Sequence, residues 1–199
     1  MKPTYHGFKA QERKAFTELP PAGCYVAEIK GVRIDKSYDK THDTIVCLVD
    51  IIEGEYKNRY LEVYNEQKEK FQDVKSKGVF TLVVPIEGDE PWRIRQFENN
   101  MWCIQESNPG FEWKWEEQDL KGKKIGINVR NHLYIYKDQE RSSTEIARFE
   151  RVADVKAGKC KAAPDRDTRK KDGGSYGESA GEPDELVMTD VSGSVEVPF

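Results

Sequence analysis

The sequence predicts a mainly β fold with one helix, followed by a disordered acidic tail. Three observations predict it. Most apolar residues before position 154 fall in short runs rich in β-branched and aromatic residues, and one later stretch has helical spacing. After position 153 apolar residues become sparse, which fits hydrophobic and charged fractions of 37% and 34%. Neither a membrane span nor a secretory signal is predicted, so we expect a cytoplasmic protein in its host cell.

The β elements are predicted from apolar runs bounded by turn residues. Strands are expected at 24–34, 44–52 and 56–63, with a further short one at 79–84, and then at 123–129, 133–136 and 146–152. The run 44–52 is almost continuously apolar, as in a strand that is covered on both faces. A turn is expected around Asn131-His132-Leu133, which makes His132 a solvated turn residue rather than a base.

The single helix is predicted over 92–107. Ile94, Phe97, Met101 and Ile104 recur at helical spacing and are expected in the core, with Trp102 packed beside them. Asn108-Pro109-Gly110 ends the helix. Trp113 and Trp115 follow in a connector; packing is favoured for both, with a stacking surface as the alternative.

This order of elements predicts a five-stranded Greek-key barrel of the OB type, because three strands, one helix and a closing hairpin match it. A plain antiparallel sheet with one covering helix is the competing architecture. The predicted organisation is an N-terminal extension at 1–15, an OB-fold domain at 16–153 and a disordered tail at 154–199.

The charge is divided unevenly along the chain. The net charge is −4, but from Gly173 onward there are six acidic residues and no Lys or Arg. Subtracting that −6 from the total leaves +2 for residues 1–172, so a mildly basic body precedes an acidic end. The tail has too little apolar surface to offset its ordering entropy, which predicts disorder.

The search for a catalytic centre gives no enzyme, cofactor or metal site. Phosphate-binding loops and nucleophile elbows are absent, and the four cysteines and three histidines lack metal-ligand spacing, so buried or idle free thiols are expected. One alternative stays open, a Mg²⁺-dependent nuclease or recombination accessory enzyme. The carboxylates that suggest it are those of Asp43, Asp50, Glu53 and Glu55, with Lys57 nearby.

Aromatic and basic residues concentrate on the three segments where an OB barrel binds its ligand. Cations follow phosphates and aromatic rings stack on unpaired bases, so these residues predict a single-stranded DNA site. The predicted DNA-binding residues are Lys36, Tyr38 and Lys40 in the first loop; Tyr56, Lys57, Arg59 and Tyr60 on the third strand; and Arg130, Tyr134, Tyr136, Lys137 and Arg141 in the last hairpin.

The last residues, 193–199 (GSVEVPF), resemble the tip of bacterial single-stranded-DNA-binding proteins, which have an OB domain, a flexible linker and an acidic end closing in Ile-Pro-Phe. In that family the tip recruits replication, repair and recombination enzymes. By this resemblance Glu196 takes an acidic position and Val197, Pro198 and Phe199 take the terminal apolar ones. The consecutive aspartates usual in that family are missing here.

The body resembles instead the OB-like proteins encoded by phages and mobile elements of Gram-positive bacteria. The resemblance covers most of 16–152 and rests on the segments 19–25 (LPPAGCY), 50–56 (DIIEGEY), 106–111 (ESNPGF) and 120–123 (LKGK). It implies a protein that coats single-stranded DNA without sequence preference and recruits partner enzymes through its tip. A homo-oligomer is compatible with the sequence, and a pure protein-interaction module is the remaining alternative.

Overall fold

Ten elements of secondary structure make up the described part of the chain. The computed structural model describes residues 17–37 and 39–169. In chain order the elements are β1 (Gly23–Lys36), β2 (Asp43–Ile51), α1 (Arg59–Lys68), β3 (Val79–Val83), α2 (Pro91–Ser107), a 3₁₀ turn (Glu117–Leu120), β4 (Lys124–Tyr136), β5 (Gln139–Glu150), α3 (Val152–Lys156) and β6 (Arg166–Asp167).

One mixed sheet contains all six of these strands. Its order is β3-β2-β1-β4-β5 with antiparallel neighbours, and β6 lies parallel to the outer half of β4. The first residues of β1 pair with β4 and the rest pair mainly with β2. The register on β2 shifts between Ile29 and Gly31, a bulge of the kind that bends a strand. The mainly β class is therefore confirmed, although the sheet is larger than expected.

The core lies between the inward face of the sheet and α2. Ile29, Ile51, Ile125 and Ile127 are fully buried there. The predicted helical stripe supplies the other side: α2 begins one residue before the predicted start, and its Ile104 is also fully buried. Trp102 differs from the expectation, since 47% of its surface is exposed.

The closed barrel that the sequence predicted is not formed. Among the described residues, no backbone ladder joins the edge strands β3 and β5. The rings of Phe80 on β3 and Phe149 on β5 contact each other, with centroids 4.6 Å apart, and α2 contacts both strands. Because β3 has only five residues and meets β5 through side chains, the sheet stays open at this seam.

The predicted third strand at 56–63 is wrong, because this segment becomes a turn followed by α1. Buried Asp50 accepts hydrogen bonds from the backbone N–H groups of Tyr60 (3.2 Å) and Leu61 (3.2 Å), the donors that a new helix leaves unpaired. Tyr60 and Val63 then lie on one helical face and are 2% and 3% exposed. The short segment 79–84 is the actual third strand.

The turn expected at 131–133 is also wrong. β4 is one continuous strand, and Asn131 and His132 pair with Thr144 and Ser143 of β5. The chain reverses instead at Lys137 and Asp138, whose φ angles of 50° and 58° are both positive, as in a type I′ hairpin turn. The predicted pair of short strands is therefore a single long hairpin arm.

The predicted start of the tail at residue 154 differs from the structure, which packs residues 152–169 onto the sheet. A disulfide joins Cys24 on β1 to Cys160, which corrects the expectation of idle thiols for these two cysteines; Cys47 and Cys103 are free and buried. The buried amide of Asn128 holds the same segment, since it donates to the Lys161 carbonyl (2.9 Å) and accepts from the Ala163 N–H (2.8 Å).

Candidate nucleic-acid interface

The outer half of the β4–β5 hairpin presents aromatic and basic side chains on one face. Alternate residues of a strand point to the same side, so Arg130, His132, Tyr134 and Tyr136 share a face opposite to that of Ile125 and Ile127. Two further arginines belong to it. Arg141 pairs directly with Tyr134, and Arg166 on β6 pairs with His132. We call these six residues the hairpin face.

The hairpin face has an excess of positive charge. Two of its three arginines contact the carboxylate of Glu145, which lies 2.7 Å from Arg130 Nε and 3.7 Å from Arg166 Nη1. The third, Arg141, donates to the neutral side chain of Gln139 (2.6 Å). Lys137 adds a further cation at the turn. Desolvation lowers the pKa of His132, against the opposing effect of Glu145, so this ring is neutral at pH 7. The opposite face of the arm carries Glu140, whose carboxylate is paired with Arg169 (2.8 Å).

Two tyrosine rings are available on the hairpin face. Tyr136 is 56% exposed, and the Lys137 ammonium lies 5.4 Å from its ring centre. Tyr134 is half-buried, with its ring 5.2 Å from that of His132. Rings that are supported at one side and open at the other can stack on unpaired bases. All five predicted hairpin residues therefore lie on the arm, four of them on this face and Lys137 at its tip.

The first loop lies apart from the hairpin turn. β1 and β4 are antiparallel, with Gly23 opposite Val129, so the loop after β1 and the tip of the β4–β5 arm lie at opposite ends of this pair. Lys36 is paired with Asp43 (Nζ to Oδ1, 2.5 Å), whereas Lys40 is exposed. Tyr38 lies outside the described residues. The structure thus does not bring this loop together with the hairpin face.

The third predicted segment offers little to a base. Tyr60 is 2% exposed, and burial raises the pKa of its hydroxyl well above the ordinary range, so its ring has no accessible face. Tyr56 meets Tyr25 edge-on at 5.7 Å, and the Arg59 guanidinium lies 5.4 Å from its ring centre. Lys57 is exposed. We therefore remove Tyr60 from the candidate site.

The sequence prediction did not include two residues of the hairpin face, nor the outward side of β1, β2 and β3. His132 could have been found by its period-two position between Arg130 and Tyr134, had the turn been placed correctly. Arg166 has no local signal, because β6 reaches the hairpin only through the packing of residues 160–168. The outward side of β1, β2 and β3 was also missed; Arg33, Val46 and Thr81 lie in one row across it.

The carboxylates that suggested a nuclease do not form one site. Asp43 pairs with Lys36, Glu53 pairs with Lys156, and Asp50 is buried with its oxygens on backbone N–H groups. Within residues 17–37 and 39–169, no group of three or more His, Cys, Asp or Glu side chains is placed to hold a metal ion. Nothing in the described geometry therefore favours the nuclease alternative.

The two tryptophans of the connector, left open by the sequence, differ from each other. Trp113 is half-buried and packs against the core, and its indole N–H donates to the Glu116 carbonyl at 2.9 Å. Trp115 is 66% exposed. The predicted tip residues Glu196, Val197, Pro198 and Phe199 lie outside the described residues.

Comparisons with known proteins identify no family for this chain. No protein-family model matches the chain, and a search of curated proteins finds no significant match. In the described part of the chain, no helix has the length and apolar character needed to cross a membrane.

Proposed function

We propose that this protein binds single-stranded DNA without sequence preference through the hairpin face. The observation that carries the proposal is the alternation of Arg130, His132, Tyr134 and Tyr136 along one side of β4, with Arg141 and Arg166 beside it. Arginine side chains are suited to phosphate oxygens, and tyrosine rings to the flat faces of bases. Neither contact reads a base edge, so the binding tolerates any sequence.

The strand order supports the same proposal. The path β3-β2-β1-β4-β5, with α2 between β3 and β4, has the order of an OB barrel, a fold that occurs in partly open form. We infer an OB type opened between β3 and β5. In this fold the face of strands two and three, the loop of the first two strands and the loop of the last two contact oligonucleotides. The hairpin face corresponds to the last of these regions and the row at Arg33 to the first, which supports the proposal.

The wider role in the proposal follows from the resemblance of the tail. The protein would coat exposed single strands in the cytoplasm of a bacterial host during replication or recombination of a phage or mobile element. Its tip, residues 196–199, would recruit partner enzymes. The free carboxylate and ring of Phe199 suit an apolar pocket flanked by basic side chains, a recognised mode of binding a chain end.

A titration of labelled oligo-dT and of a duplex of equal length, at two salt concentrations, tests the function. Three arginines and one lysine contacting about four phosphates give a log–log salt slope of about −3 for single strands. We expect the single strand to bind more tightly than the duplex, because base pairing hides the ring faces that tyrosine uses. Equal or tighter binding to the duplex would refute the proposal. No binding of either nucleic acid would leave the protein-interaction module.

A further inference from the structure

Three tryptophans of the described chain are exposed, and two of them are covered by an arginine of the same chain. The Arg93 guanidinium lies 5.3 Å from the ring centre of Trp92, and that of Arg151 lies 4.8 Å from Trp102. Trp115 is the most exposed of the three, at 66%, yet within the described residues no cation lies over its ring. Its surface is thus open to the contact that the other two already have.

The ring of Trp115 is held in place. It is nearly parallel to Phe97, at 15° and a centroid distance of 6.2 Å, and 4.6 Å from the ring of Trp113. Its φ angle of 67° is one that large side chains rarely adopt. Strained residues of this kind persist where the surrounding structure fixes them, and they often serve binding. The fold therefore presents this indole at the surface at a conformational cost.

Trp115 is followed directly by two carboxylates, those of Glu116 and Glu117. The connector 112–119 has the sequence EWKWEEQD, with four carboxylates and one lysine, and Lys121, Lys123 and Lys124 follow it. None of the connector's five charged groups belongs to an ion pair among the described residues. An exposed aromatic ring beside unpaired carboxylates attracts cations, through the ring quadrupole and through charge.

We propose that Trp115 and the carboxylates of Glu116 and Glu117 form a docking site for a cationic segment of a partner protein. An arginine or lysine of that segment would lie over the indole, as Arg93 and Arg151 do at Trp92 and Trp102. The two carboxylates would pair with the neighbouring cations of the same segment. This surface is separate from the hairpin face and does not depend on the proposed function. It would give the protein a second, protein-directed site.

The test follows the indole N–H resonances of the four tryptophans by NMR while a peptide is added. The probe is a twelve-residue peptide of alternating arginine and serine; its control replaces arginine by neutral citrulline. We expect the Trp115 resonance to move with the arginine peptide, the Trp102 resonance to stay, and the citrulline peptide to have little effect. Equal shifts with citrulline, or shifts at Trp92 and Trp102 alone, would overturn the proposal.

Variants complete the test. Trp115→Ala should weaken binding of the arginine peptide about 3- to 30-fold, in line with the strength of a cation–π contact. Trp115→Phe should restore part of it, and the double charge reversal Glu116→Lys, Glu117→Lys should abolish it. The matched control is Trp102→Ala, which should bind as wild type does. An equal loss in that control would overturn the proposal. So would a Trp115 resonance shift that is larger with oligo-dT than with the arginine peptide. A larger shift when the protein alone is concentrated would also overturn it.

Discussion

At the scale of single residues, exposure decides what a tyrosine can do. Tyr60 and Tyr136 both belong to the predicted DNA-binding set, but Tyr60 is 2% exposed in the core and Tyr136 is 56% exposed on the arm. The two had equal weight in the sequence, because a polar aromatic residue suits a packed position as well as a stacking surface. Asp50 accepts hydrogen bonds from the backbone at the start of α1, and on this helix Tyr60 packs into the core.

The protonation of His132 gives a prediction at this scale. Burial holds the pKa of His132 below its ordinary value, so the ring is neutral at pH 7 and gains a proton only on acidification. A proton there adds a charge to the hairpin face. Between pH 7 and pH 5 we expect affinity for oligo-dT to rise by the value of an exposed ion pair, ~0.5–1 kcal/mol.

The control is His132→Gln, which should remove that increase. Acidification raises the affinity for oligo-dT but lowers the stability of the free protein. Because the pKa in the folded chain is lower than in the unfolded one, the unfolded state takes up the proton first, and acidification through this range destabilises the fold. A pH profile of oligo-dT binding that is the same in wild type and His132→Gln would contradict this role of His132.

At the scale of elements, the sequence predicts those whose signal is local. The apolar stripe of α2 gives the helix to within one residue, and the runs of β1 and β2 give their strands. α1 is missed because its start depends on Asp50, which lies nine residues before Arg59. The continuity of β4 is missed because Asn131 suggests a turn, whereas the actual turn is formed by Lys137, which disfavours positive φ, and Asp138. Long-range pairing decides both cases.

The hairpin turn gives a prediction for this element. Lys137 and Asp138 both have positive φ, a conformation in which glycine has no steric penalty. Asp138→Gly removes a left-handed steric penalty of ~1–2 kcal/mol and adds ~0.5–1 kcal/mol of unfolded-state entropy, so it should stabilise the protein by up to ~1 kcal/mol. Oligo-dT affinity should stay unchanged or rise slightly. Thermal unfolding measures this effect. Asp73→Gly, at an exposed loop position before β3 without positive φ, is the comparison, and equal changes in both variants would contradict the turn geometry.

At the scale of the whole molecule, the segment after α3 connects the disulfide to the hairpin face. Cys160 is bonded to β1, Ala163 is held by Asn128, and Arg166 then pairs with β4. Composition alone assigned this stretch to the tail, because its residues are mostly polar. Neither the disulfide nor the open seam between β3 and β5 has a signal in the sequence, since both depend on how distant parts of the chain meet.

Reduction of the disulfide provides a prediction for the whole fold. The bond links residues 136 positions apart, and a native disulfide usually contributes about 2–4 kcal/mol to the free energy of unfolding. We expect a reductant to lower the free energy of unfolding of the wild type, measured by urea titration, by that amount. The double variant Cys24→Ser, Cys160→Ser should start at the lower value and not respond to the reductant. A wild type that ignores the reductant and titrates with four free thiols would contradict the bond.

Truncation tests the division of labour between body and tip. Removal of residues 197–199 should abolish capture of host replication and recombination enzymes, because their terminal ring and carboxylate are lost. Affinity for oligo-dT should stay the same or rise slightly, since the acidic tail opposes DNA only through its charge. Loss of DNA binding with retained partners would show that the tip belongs to the DNA site.

The central claim is tested most directly by two substitutions at neighbouring positions of β4. Tyr136 and Ile135 are both more than half exposed but point to opposite faces of the arm. In oligo-dT titrations at one salt concentration, Tyr136→Ala should cost ~1–3 kcal/mol of binding, the value of one stacked base, and Ile135→Ala should bind as wild type does. Equal affinities for both variants, or a larger loss in Ile135→Ala, would contradict the assignment of the hairpin face.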